Sequence, residues 1–396
     1  MKLRELGSGL GWIVLLFAFW LAGSILDLSK YLPHKVWAFA ALGFFGILAV
    51  VASLRWVQKG KGNRQLGWGW FAASWALVAI LHMIVFPMAQ RKADRNDSYD
   101  GMLVSSAQLL HLHFPYYVRS FKGAPITPMP GALLLALPFQ ILGSVSLQNL
   151  FWLGIFMWFA AQFFRFRSTA FAFILVTVLA SARTLVDILV GADYPINWMY
   201  ICISTVLFLN SSKGPLRWKY VASGILLGVA LSSRPTYALV LSPLILAYLS
   251  QQVGVMAGLR RIALPLSVTV AVTLPFYLYD PAHFTPFHVT DRLAFLPERL
   301  QHPVVVLLIV LAVVTACTGF LIRLTLPRLF LLAGVASAAL LVPPGLILAL
   351  GPNTSFLLLG YSSASACFLS LWAFRRMEDE FSVQGAGFTL PQPAEQ

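Results

Sequence analysis

Apolar runs of about twenty residues recur along most of this 396-residue chain, and most of the connections between them are short. The hydrocarbon core of a bilayer is about 30 Å thick, a distance that roughly 20 helical residues cover. Lipid offers no hydrogen bonds to a backbone, so each run must satisfy its own N–H and C=O groups by forming a helix. Spans are expected near residues 10–28, 36–54, 68–90, 147–164, 168–190 and 194–210, and then near 219–233, 236–252, 260–279, 303–322, 329–350 and 354–374. Only 11% of the residues are charged, against about 25% in an average soluble domain, which is too few to build a water-facing surface. The expected fold is an all-α polytopic membrane protein with about 12 transmembrane helices. Residues 1–377 form one transmembrane domain in this reading, and 378–396 form a short disordered cytoplasmic tail. Met1-Lys2-Leu3-Arg4 and the apolar run behind it have the outline of a cleavable signal and are read as an uncleaved first span.

The formal net charge of +14 would suggest a nucleic-acid partner in a soluble protein, but its distribution excludes that reading. Lys2/Arg4, Arg55/Lys59/Lys61/Arg64, Arg165/Arg167, Lys213/Arg217/Lys219, Arg260/Arg261, Arg323/Arg328 and Arg375/Arg376 fall in alternate loops and hold 17 of the 28 basic residues. That is the positive-inside pattern, and it places those loops and both termini in the cytoplasm of a plasma (inner) membrane. The three cysteines, Cys202, Cys317 and Cys367, sit in apolar runs with no metal-site spacing and read as small buried hydrophobes.

One connection is long. Residues 91–146 lie on the opposite, outer side, and long structured loops are usually functional. Residues 100–113 carry apolar positions at helical spacing, with Asp97 or Ser98 as a cap, and Pro115, Pro125, Pro128 and Pro130 then forbid helix. Residues 131–143 are apolar but too short to span, and read as an interfacial helix on the outer leaflet. A second outer loop, 280–302, holds Asp280, His283, His288, Asp291 and Glu298 and is expected to pack over the first.

Ionisable groups at a membrane boundary need a reason to be there. Asp97 and Asp100 follow the third span, where a partly desolvated carboxylate suits a general base; the alternative is pairing with Arg91, Lys92 or Arg95. Arg183 either neutralises Asp187 one turn on or contacts a lipid phosphate. Arg234, between two spans, either grips phosphate oxygens in bidentate fashion or snorkels to headgroups. Asp193 has the position of a cap for the sixth span. His111 and His113 stand two apart on a helix and share no face, which speaks against a metal site there. No Asp-x-Asp motif demands a metal, and no cofactor is called for.

Several motifs, taken in order, resemble a known family. They are Asn96-Asp97-Ser98-Tyr99, Phe114-Pro115-Tyr116, Pro128-Met129-Pro130-Gly131-Ala132-Leu133, Leu137-Pro138-Phe139, Asp193-Tyr194-Pro195, Ser233-Arg234-Pro235 and the run Leu274 to Pro281. Across residues 90–290 the chain resembles the GT-C superfamily of glycosyltransferases, and among them the polyprenol-phosphate-mannose-dependent mannosyltransferases of glycosyltransferase family 87. The resemblance implies a hexosyltransferase of the cell envelope that moves a sugar, mannose among the candidates, from a polyprenyl-phosphate carrier to a lipid or glycan acceptor hydroxyl on the extracytoplasmic face. It further implies Asp97, or its neighbour Asp100, as the base, inversion at the anomeric carbon, and Tyr116, Arg183, Asp193, Arg234 and Asp280 as substrate-binding residues. His111-Leu112-His113 stands where the family usually carries a glycine, and two additional spans ahead of the loop suggest a distinct subfamily. A secondary transporter and a non-catalytic partner in cell-envelope assembly are the competing readings. Transporters commonly show internal repeats and helices broken at mid-membrane, and the sequence carries no convincing repeat.

Overall fold

The computed structural model describes residues 66–91, 96–212, 218–288, 298–350 and 363–386. Over these it is helical, with no strand and one isolated bridge, between Arg119 and Pro125. The spans expected at 10–28 and 36–54, the neighbours Lys92 and Arg95 of Asp97, and Asp291 lie outside the described residues. In chain order the helices are α1 (Trp68–Gln90), α2 (Asp97–Leu110), α3 (Pro130–Ile141), α4 (Leu147–Phe163) and α5 (Arg167–Ile174). A π turn (Leu175–Leu179) then leads to α6 (Ala182–Val190), α7 (Tyr194–Ser211), α8 (Trp218–Leu231), α9 (Pro235–Val253) and α10 (Val255–Tyr279). A 3-10 turn (Thr285–Phe287) precedes α11 (Glu298–Leu321), α12 (Leu326–Leu350) and α13 (Ser363–Ala386).

Prolines open several of these helices. Pro130, Pro195 and Pro235 sit in the first turn of α3, α7 and α9, where a missing N–H costs nothing. Fourteen of the eighteen residues of α7 are buried, and the helix packs against α4, α8 and α13. It is the centre of the bundle. The backbones of α8 and α10 approach closely through Gly224 and Gly228, where added β-carbons would collide with Leu264 and with the Pro265 carbonyl. Around this centre the apolar pattern reverses. Trp70, Leu77, Ile80, Met83, Ile84 and Met88 of α1 all point outward, an arrangement that water would penalise and lipid would not. α1, α9 and α10 are each long and apolar enough to cross a membrane, and α5 with α6 adds a fourth candidate if the bent pair counts as one span. These features are consistent with association with a membrane.

The structure departs from the sequence expectations at three places. The run 168–190 is interrupted: the π turn ends near Ala180, and Ser181 caps α6 by accepting from the Thr184 N–H at 3.3 Å, with a bend of 71° across the break. The C-terminal helix, described from Ser363 onward, runs past the expected end of the last span at 374 and continues through Glu378 to Ala386. Glu378 is buried, and its carboxylate accepts from the backbone N–H groups of Arg165 (3.0 Å) and Phe166 (2.9 Å) and from Arg375 (3.0 Å). The start of a helix has free N–H groups and favours a negative charge, so Glu378, expected to open a disordered tail, instead caps the start of α5. Cys317, expected to be buried, is exposed on α11, whereas Cys202 and Cys367 are buried with their sulfurs 3.9 Å apart.

Candidate active site

The loop between α1 and α4 begins with a cap one residue earlier than expected. Asn96 Oδ1 accepts from the N–H groups of Ser98 (2.9 Å) and Tyr99 (3.3 Å), placing Asp97 and Asp100 in the first turn of α2, where the helix dipole favours carboxylates. This leaves both Asp97 and the Ser98 hydroxyl unused as caps. Oδ1 of Asp97 is buried and has no hydrogen-bond partner among the described residues. Asp100 has a different environment, being buried at 2% exposure with its carboxylate accepting from the Phe121 N–H. That bond pins the turn in which the Ser120 N–H meets the Ala124 carbonyl at 3.0 Å.

The two Pro-rich motifs meet. Met129 N–H donates to the Ser233 carbonyl (3.3 Å), and Gly131 N–H reaches both the carbonyl and the hydroxyl of Ser232 (3.2 Å each). A β-carbon on Gly131 would run into the Val229 carbonyl oxygen and stand 2.8 Å from the Ser232 carbonyl carbon. Only glycine allows α3 to seat on the α8–α9 turn. Arg234 is thereby brought under the loop, where it donates to Thr127 Oγ1 (3.3 Å) and forms a buried ion pair with Asp193.

Asp193 is the hub of this site. Gly191, in the left-handed region (φ +83°), ends α6 and turns the chain so that Asp193 faces inward. Its side chain makes no cap bond to α7, contrary to the expectation. It instead accepts from the Ser98 hydroxyl, from Asn197 Nδ2 (3.1 Å) and from Arg234, while its own N–H donates to Ser98 Oγ (3.2 Å). The Tyr200 hydroxyl donates to Asn197 Oδ1 and extends the network into the core. A buried charge pair stabilises only when its remaining valences are filled, and Ser98 and Asn197 supply those bonds.

The other expected residues make contacts of their own. Arg183 pairs with Asp187 at 3.0 Å, the self-neutralising alternative, and its guanidinium lies 5.7 Å from the Tyr194 ring. Tyr116 is 3% exposed, donates to the Pro128 carbonyl (3.1 Å) and packs edge-on against Phe276 and Phe284. Burial pushes its phenol well above the usual value, offset in part by the Arg234 charge. Asp280 is found at a rim. Its carboxylate accepts from the Tyr117 hydroxyl (3.0 Å) and pairs with His283 (2.8 Å), whose side chain is exposed. Slight burial raises the Asp280 carboxyl, but these bonds outweigh it and hold the group below its ordinary value. Residues 280–288 pack against the first loop as expected, through this contact and the Thr285 hydroxyl on the Ile126 carbonyl.

Sequence reasoning missed Thr127, Asn197, Tyr200 and His82. The spacing of Asp193, Asn197 and Tyr200 on one helical face was a usable signal. So was His82, the one titratable side chain in its apolar run, which ties α1 to the Ile188 carbonyl (2.9 Å) and to the Ser146 hydroxyl (3.2 Å). No group of three or more His, Cys, Asp or Glu side chains suited to a metal ion occurs among the described residues. No family model, curated protein or solved structure matches the chain.

Proposed function

We propose that this protein is a membrane glycosyltransferase that moves a sugar from a polyprenyl-phosphate carrier to an acceptor hydroxyl at the extracytoplasmic face of a plasma membrane. In this reading the chain crosses the membrane about 12 times with both termini in the cytoplasm, and residues 91–146 form the outer loop over the site. One observation carries the proposal. Segments 96–98, 127–131, 193–197 and 232–235, far apart in sequence, converge on a single buried network containing the Arg234 cation, and Asp97, next in the chain to Ser98 of that network, has a buried carboxylate oxygen with no hydrogen-bond partner among the described residues.

The chemistry follows from these groups. Asp97 Oδ1, without a donor among the described residues, is the available base and takes the proton of the acceptor hydroxyl as its oxygen attacks the anomeric carbon. The bond from that carbon to the phosphate oxygen breaks on the opposite face, so the configuration inverts. Arg234, oriented by Asp193 and Thr127, meets the charge that develops on the departing phosphate. Asp100, engaged on Phe121, holds the loop that shapes the site. Arg183 lies over the ring of Tyr194, the residue that follows Asp193.

A secondary transporter is the second reading, and the broken α5–α6 pair favours it, because half-helices at mid-membrane are a transporter device. The deciding experiment supplies membranes containing the wild type or Asp97→Asn with a panel of radiolabelled polyprenyl-phosphate sugars. Label is expected to reach an acceptor only with the wild type. Its failure to move from every donor would discard the proposal in favour of the transporter or a non-catalytic envelope protein.

A further inference from the structure

The outer end of α4 carries polar chemistry that the network above does not use. Gln148, Asn149 and Trp152 are 1%, 0% and 7% exposed. Yet Gln148 Nε2, both Nδ2 and Oδ1 of Asn149, and Trp152 Nε1 have no hydrogen-bond partner among the described residues. Buried polar atoms are paired in the great majority of cases, and an unpaired one costs stability. Four of them within five residues amount to a site in search of a ligand. Trp152 stands one turn on from both amides, four residues after Gln148 and three after Asn149, so that it borders each of them on the helix surface.

This face adjoins the Asp193 network at two points. Ser146, just before α4, abuts Gly191, since a β-carbon built there would stand 3.1 Å from the Ser146 β-carbon. The Trp152 ring lies 5.6 Å from that of Tyr200, whose hydroxyl binds Asn197 and so leads to Asp193 and Arg234. The three side chains bring two primary amides and an indole, and no charge. Amides offer donors and an acceptor in one plane, which matches neighbouring hydroxyl groups, and an indole adds a donor and an apolar face.

We infer that Gln148, Asn149 and Trp152 form the subsite that holds the hydroxyl groups of the transferred sugar, next to the cation that receives its phosphate. This inference rests on the glycosyl-transfer reading and names that site's sugar-recognition residues. The phosphate is Arg234's ligand, and the uncharged trio takes the neutral, hydroxylated part of the same molecule.

The test is equilibrium binding to the full chain in lipid nanodiscs, comparing a hexosyl polyprenyl phosphate with bare polyprenyl phosphate. The wild type is expected to prefer the hexosyl form by about tenfold or more, the worth of one or two hydrogen bonds. Asn149→Leu and Gln148→Leu are expected to lose that preference and leave affinity for the bare phosphate within about twofold. Asn149→Leu is also expected to melt at a higher temperature than the wild type, because it removes two unpaired buried atoms, so lost preference cannot be put down to misfolding. Variants that keep the preference would overturn the subsite and leave the glycosyl-transfer reading standing. A wild type that binds both lipids equally, or neither, would overturn both.

Discussion

Two clusters of charge sit on the loops of this protein, and they differ in almost every physical respect. The Arg234–Asp193 pair is buried, with Ser98, Asn197 and Thr127 supplying further bonds. The Asp280–His283 pair is exposed, joined to Tyr117 and shared with solvent. Geometry alone would make them look alike, since each joins segments more than a hundred residues apart or nearly so: Tyr117 to Asp280, Ser98 to Asp193. Dielectric separates them. Breaking a buried pair by removing one member costs about 3–5 kcal/mol, whereas exposed pairs contribute about 0–1 kcal/mol. The inner cluster therefore orients groups and makes the fold depend on them, while the outer one fastens a loop and responds to pH.

The largest effect belongs to the inner pair. Arg234→Ala strands the Asp193 carboxylate in the core, and thermal unfolding in nanodiscs should show a loss of about 3–5 kcal/mol together with abolished transfer. Arg234→Lys restores the charge without the fork, and is expected to recover more stability than activity. An Arg234→Ala protein as stable as the wild type would erase the contrast between the clusters.

Asp97→Asn comes next. The Asp97 Oδ1 atom has no hydrogen bond to lose among the described residues, so the melting temperature should stay near that of the wild type while transfer falls by about 10²–10⁴-fold, the usual worth of a general base. Gly131→Ala sharpens the comparison from another side. Its methyl group meets the Val229 carbonyl, and the misfit should cost about 1–3 kcal/mol and loosen the loop over Arg234, read as faster proteolysis between residues 114 and 130.

The smallest effect is at the rim. The Asp280 carboxyl is held below its ordinary value by Tyr117 and His283. A depressed carboxylate stabilises the fold above its unfolded value and loses that contribution as pH falls through the folded one. The wild type should therefore melt slightly above Asp280→Asn at neutral pH, and the gap should close below about pH 4. A gap that persists in acid would mean that Asp280 acts through something other than its charge.

Local patterns in the sequence were read well because their physics is local. The run 68–90 became α1 over the expected residues, and the short apolar stretch 131–143 became α3, shifted by a residue or two. Asn96 took the cap from Asp97 and Ser98, a one-residue shift that frees Ser98 for Asp193, and periodicity does not resolve such shifts. Long-range pairings were not legible. Nothing near Glu378 says that its carboxylate will cap a helix more than two hundred residues earlier, and nothing near Asn149 says that its amide will be buried unpaired. Arg183 shows the middle ground, since its i,i+4 partner was visible and its place beside Tyr194 was not.

The division of labour between the two clusters is tested most directly by one transfer assay, run on membranes holding equal amounts of wild type, Asp97→Asn and Asp280→Asn with a labelled polyprenyl-phosphate sugar. The account predicts label on the acceptor with the wild type and with Asp280→Asn, and none above background with Asp97→Asn. Activity that survives in Asp97→Asn and disappears in Asp280→Asn would contradict it, and would move the centre of the chemistry from the buried network to the rim.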